Sequence, residues 1–174
     1  MAVDIPSDDP AESLLLRASP SDLEKFWDVM DQIPVPVGEI AVRLGIEVYS
    51  LTLDPNISGL IKKNGNGVFE ININNTDAAV RQRFTVCHEV AHFLLHRSYI
   101  DGDGIKDNIL YRSKLSNAQE AEANRLAAAL LLPLQSVREW HLSRFAGPID
   151  KANLRAIGEK FRASELAVGY RFGL

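Results

Sequence analysis

His88-Glu89-Val90-Ala91-His92 is the stretch of this chain whose residue types and spacing can do chemistry. An α-helix turns about 100° per residue, so imidazoles four residues apart sit about 40° from each other, one turn up the same face. Two imidazoles so placed can share one tetrahedral metal ion, and Glu89 on the neighbouring flank can reach a metal-activated water as a general base. The competing reading is a pair of buried histidines bonded to backbone or to carboxylates. Catalytic zinc takes three protein ligands, so another element must supply the third. Asn117–Asn124 offers two acids. Glu120 and Asn124 share a helical face, whereas Glu122 lies about 200° round from Glu120. Small residues at Ala121, Ala123, Ala127, Ala128 and Ala129 let this helix approach another closely. Glu120 with Asn124 is therefore the inward pair. Glu122 is solvated or stands behind the ligands, as an acid favoured at a helix start.

The elements that must position these groups follow from patterning. The metal-bearing helix is expected from Asp77 to about Arg97, capped by Thr76 or Asn75, and the second from about Asn117 to Leu132, stopped by Pro133. Three strands precede them: Ile46–Leu51, Ser58–Lys62 and Val68–Asn74, the last two joined by Asn64-Gly65-Asn66-Gly67, a tight-turn sequence. The third strand leads directly into the metal-bearing helix, so its edge is expected to run beside the ion and accept an extended peptide as an added strand. Ser21-Asp22-Leu23-Glu24 reads as a capping box opening a helix to about Gln32, ended by Pro34 and Pro36. A short helix over Glu39–Leu44 closes at Gly45. Helical stretches at Gln135–Phe145 and Lys151–Phe161 and a short tail element complete the chain. The expected fold is α+β, a small antiparallel three-stranded sheet packed with helices. Residues 1–32 are expected to form an extension, its first 18 a loose acidic arm able to dock on the body through Leu14-Leu15-Leu16, and 33–174 the main domain.

Composition bounds the function. The chain has 174 residues, 46% hydrophobic and 24% charged, the balance of a globular protein. Nineteen basic against 23 acidic residues give a net charge of −4, which argues against direct nucleic-acid binding, since that needs a basic footprint. One cysteine, Cys87, allows no internal disulfide and fits a reducing compartment. No apolar run approaches the ~20 residues of a membrane span, and the acidic N-terminus is no signal peptide. A cytoplasmic protein is expected.

The residues resemble the ImmA/IrrE family of zinc metallo-endopeptidases. The likeness runs from Ile33-Pro34-Val35 through Glu39-Ile40-Ala41, Leu44-Gly45-Ile46, Ser58-Gly59-Leu60 and Ile71-Asn72 to the block Arg81–His96. It continues in a second block, Glu120–Pro133, where Leu126 and Leu132 stand for the commoner phenylalanine and methionine. In the first block Cys87 and Ala91 replace the commoner alanine and glycine. The resemblance implies a zincin-like fold of the gluzincin type, zinc held by His88, His92 and Glu120, and Glu89 as general base. It also implies a narrow substrate, a helix-turn-helix repressor or antitoxin-type regulator from a bacterial or phage genome. A non-catalytic zinc module that sequesters such a partner is the alternative, and the intact Glu89 argues against it. A general scavenging protease fits a chain of this size least.

Other residues carry less. His96 continues the helical series but would overreach the ion, so a structural role is expected. Cys87 reads as core rather than redox sensor. Arg81 and Arg83 can bind a substrate carboxylate or serve structure, and Tyr99 and Tyr111 are both oxyanion candidates. Asp101-Gly102-Asp103-Gly104 with Asp107 lacks calcium-loop spacing and reads as a turn-rich loop.

Overall fold

The computed structural model describes residues 9–100 and 116–174, and residues 105–108 as backbone. The first eight residues, the Asp101–Gly104 stretch and Tyr111 lie outside the described residues.

The chain begins with a 3-10 turn, Glu12–Arg17, and a one-turn helix α1, Pro20–Leu23. The expected helix to Gln32 does not form. Its amides bond three residues back, as Phe26 N to Leu23 O and Val29 N to Phe26 O, while Arg43 draws off the Lys25 carbonyl. Ser19 rather than Ser21 is the N-cap, without a side-chain cap bond. Tertiary burial decides this path: Leu15, Leu23, Phe26 and Val29 all enter the main core, so the arm docks through its leucines as expected and is held from Asp9 onward.

Helix α2 (Val37–Arg43) is followed by Gly45 at φ +78°, the left-handed conformation that a helix end favours in glycine. Strands β1 (Ile46–Leu51), β2 (Ile57–Lys63) and β3 (Phe69–Asn74) then form a sheet that a fourth strand, β4 (Ile105–Asn108), extends. The order is β1-β3-β2-β4. β3 pairs with β2 antiparallel, across a turn in which Gly67 takes φ +82°. It pairs with β1 in parallel, so the sheet is mixed and not the antiparallel three-stranded one expected. Asn74 enforces the crossover. It is buried, and its side chain donates to the carbonyls of Asp54 and Ile57 and accepts from Leu53 and Thr76. The loop between β1 and β2 is thereby tied across the end of β3, leaving β3 central.

Both sides of β3 are therefore paired, and the expected docking of an extended peptide on its edge is ruled out. β4, expected to be part of a turn-rich loop, runs antiparallel to β2 and covers that strand's outer edge.

Helix α3 (Ala79–His96) packs under the sheet and against α4 (Asn117–Leu131). Its N-cap is Ala78, without a side-chain cap, because the Thr76 hydroxyl is engaged by Asn74. A Ser116–Gln119 capping box opens α4. Helices α5 (Leu134–Leu142), α6 (Leu154–Phe161) and α7 (Glu165–Phe172) close the fold. The α+β class stands. Among the described residues no helix is long and apolar enough to cross a membrane.

Candidate metal centre

The face of α3 carrying Thr85, His88, Glu89, His92 and His96 is buried. Ala123 and Ala127 bring α4 close to it, both with no exposed surface. His88 Nε2 and His92 Nε2 lie 2.9 Å apart, and Glu120 Oε2 reaches across from α4 to 3.4 and 3.5 Å from them. A tetrahedral ion with bonds of about 2.0–2.1 Å has ligand-to-ligand edges of roughly 3.3–3.4 Å. The two edges to Glu120 sit at that spacing, and the His88–His92 edge is about 0.4 Å shorter and would open around an ion. Two imidazole nitrogens with one carboxylate oxygen are a donor set that zinc accepts.

Electrostatics favours the ligating protonation states. Burial pushes the His92 imidazole down to about 4, leaving it neutral at pH 7. Burial works against ionisation of Glu120, but the facing His88 and His92 imidazoles outweigh it and hold the carboxyl well below its usual range. Behind the ligands, His88 Nδ1 donates to Asn124 Oδ1 at 2.9 Å. His92 Nδ1 meets His96 Nδ1 at 3.1 Å, His96 Nε2 meets Glu122 Oε2 at 3.2 Å, and Arg17 donates to Glu122 Oε1 at 2.7 Å. His96 thus stands behind His92, outside the His88–His92–Glu120 cluster. Glu122, open between two readings from the residues alone, is in this outer line.

Glu89 is fully buried beside the two histidines. β2 passes directly above it. A Cβ on Gly59 would lie 2.4 Å from Thr85 Cγ2, 3.0 Å from the Asn72 carbonyl oxygen and 3.7 Å from Glu89 Oε1, so only glycine permits this approach. A cleft of about 580 Å³ continues along the same face, lined among others by Ser58, Phe84, Thr85, Asn124 and Tyr170. It shares Thr85 and Asn124 with the metal centre. Arg81 stands at this cleft and donates to Ser58 Oγ. Arg83 is structural, bonded to the carbonyls of Val35 and Arg162. Tyr99 is exposed in a 3-10 turn beyond the end of α3. Burial raises the Cys87 thiol to about 12, so it is inert core.

Sequence reasoning overlooked Arg17, Tyr170 and the need for Gly59. Nothing marks Arg17 or Tyr170 locally, since each reaches the site only through tertiary packing. Gly59 had a signal, an isolated glycine inside a strand, which often marks close backbone approach.

Fold and site together define an α+β protein with a helix-borne His-Glu-x-x-His centre completed by an acid from a second helix. The chain belongs to the peptidase M78 family, whose IrrE N-terminal-like domain matches residues 41–172. That is a metallopeptidase family, in line with the resemblance already read from the two sequence blocks. Among curated proteins none matches the chain.

Proposed function

We propose that this chain is a zinc-dependent endopeptidase acting on a specific partner protein, a helix-turn-helix repressor or antitoxin-type regulator. The observation that carries the reading is the placement of a fully buried carboxylate, Glu89, next to a His88–His92–Glu120 ligand set. A site that only held structure has no need of a base there. Bound zinc supplies Lewis acidity toward a peptide carbonyl and acidifies water to a pKa of about 7. His88, His92 and Glu120 hold the ion. Glu89 takes the proton of the attacking water and delivers it to the leaving amine. The cleft past Thr85 and Asn124 seats the substrate beside these groups. The partner's identity follows from family resemblance, and the acidic net charge of −4 fits control of transcription through a protein rather than through DNA contact.

Glu89→Gln tests the proposal. The variant keeps size and all three ligands, so zinc content and folding persist, while cleavage of a co-expressed regulator falls by about 10²–10⁴-fold. Equal regulation by the variant would replace the enzyme with a sequestering zinc module.

A further inference from the structure

We infer that Arg17, Glu122 and His96 are positioning residues for His92, so that a segment lying before the family match holds one metal ligand in register. The inference rests on the zinc reading above.

The proton positions dictate the chain. For His92 to offer the Nε2 lone pair toward His88 and Glu120, its proton must sit on Nδ1. The neighbour there is His96 Nδ1, 3.1 Å away, which must then accept. The His96 proton therefore sits on Nε2 and is given to Glu122 Oε2 at 3.2 Å. Glu122 Oε1 in turn accepts from Arg17 Nη1 at 2.7 Å. Each link has one donor and one acceptor. The opposite His92 tautomer would put its proton among the metal-ligating atoms and make His96 donate from Nδ1, leaving the unprotonated His96 Nε2 facing the acceptor-only Glu122 carboxylate.

Metal-bound histidines nearly always give their second N–H to a carboxylate, a carbonyl or water. His88 follows a short form of this rule through Asn124 on α4. His92 uses a longer one, in which a neutral imidazole, 2% exposed, stands between ligand and carboxylate. The charge on Glu122 polarises that imidazole and makes it a better acceptor. Glu122 is fixed from outside by Arg17, at the end of the Glu12–Arg17 turn. That turn is anchored in turn: Asp9 and Glu12 both pair with the buried Arg171 of α7, and Glu12 also accepts from Leu134 N. The family match begins at residue 41, so Arg17 acts from beyond it.

The test is the zinc dissociation constant of the full chain, read by chelator competition and checked by the visible spectrum of the cobalt-substituted protein. Glu122→Gln and His96→Phe should weaken zinc by about 10- to 100-fold and shift the cobalt bands. Thermal unfolding of the metal-free Glu122→Gln protein should stay near wild type, which a purely structural role would not give. Arg17→Gln should weaken zinc by up to about fivefold, the size of an exposed ion pair. Arg17→Lys should keep wild-type affinity, and Arg17→Gln should cost nothing further once Glu122 is Gln. Zinc affinity of Glu122→Gln within a factor of two of wild type would overturn the inference. Equal effects of Arg17→Gln in the two backgrounds, zero included, would do the same. If the wild-type chain binds no zinc at all, the metal-centre reading itself falls, an outcome distinct from both.

Discussion

Asn124 Oδ1 lies 2.9 Å from His88 Nδ1, and this contact sets which nitrogen of the ligand carries its proton. The amide oxygen only accepts, so His88 donates from Nδ1 and turns its Nε2 lone pair toward His92 and Glu120. Asn124→Leu should weaken zinc by about 10- to 100-fold, while Asn124→Asp, which still accepts, should stay close to wild type. Chelator competition measures both.

Glu120 is the member of the His88–His92–Glu120 cluster contributed by α4. Glu120→Ala should remove most of the metal from protein purified without added zinc, as should His88→Ala or His92→Ala. Elemental analysis decides it, and full zinc in Glu120→Ala would exclude this carboxylate from the ligand set.

Gly59 allows β2 to cross α3 above Glu89. Its replacement by Ala drives a Cβ against Thr85 Cγ2 and the Asn72 carbonyl oxygen. Thr85 is β-branched and buried, so it yields poorly. Gly59→Ala should destabilise by about 1–3 kcal/mol, as overpacking does. It should also reduce cleavage more than it reduces zinc content, because Glu89 lies nearer than the ligands. Thermal unfolding and elemental analysis on the same sample test this.

The metal-free protein should lose stability in mild acid. Burial holds His92 neutral down to about 4, against an ordinary value of 6.5. Between these values the unfolded chain binds the extra proton, so stability rises with pH through that window and is flat above it. The shift corresponds to a loss on the order of 3 kcal/mol on going from pH 7 to below pH 4. The lowered carboxyl of Glu120 adds in the same direction below its ordinary value of 4.5. Denaturant unfolding of chelator-treated protein across pH 4–7 should show this slope, and His92→Gln should flatten it.

Arg171 joins the two ends of the described chain. Its side chain is 5% exposed and its guanidinium lies between Asp9 and Glu12, whose side chains are about as buried. Removing one partner of a buried ion pair leaves uncompensated charge, so Arg171→Met should cost about 3–5 kcal/mol. Denaturant titration should show the midpoint falling, and limited proteolysis should cut earliest before residue 20.

The His-Glu-x-x-His spacing was legible because helical geometry alone puts His88 and His92 on one face, and a single turn carries all the information. The preference for Glu120 over Glu122 was legible for the same reason, since the 100° step separates them. Strands β1 to β3 and the two long helices were readable from local periodicity. What local pattern does not contain is which strands become neighbours. The parallel β1–β3 pairing depends on Asn74 bonding to backbone 17 and more residues away, and that contact abolished the peptide-docking edge expected of β3. The helix expected from Ser21 failed for a related reason. Leu23, Phe26 and Val29 are all buried in the shared core along the path the chain takes, and propensity over a few residues is a weaker force than burial. The line from Arg17 to His92 spans more of the chain than any local signal reaches, with Arg17 and Glu122 105 positions apart. Residue types and spacing determined which atoms could hold a metal; only packing decided what stands behind them, because hydrogen bonds between distant segments exist only once the core has brought those segments together.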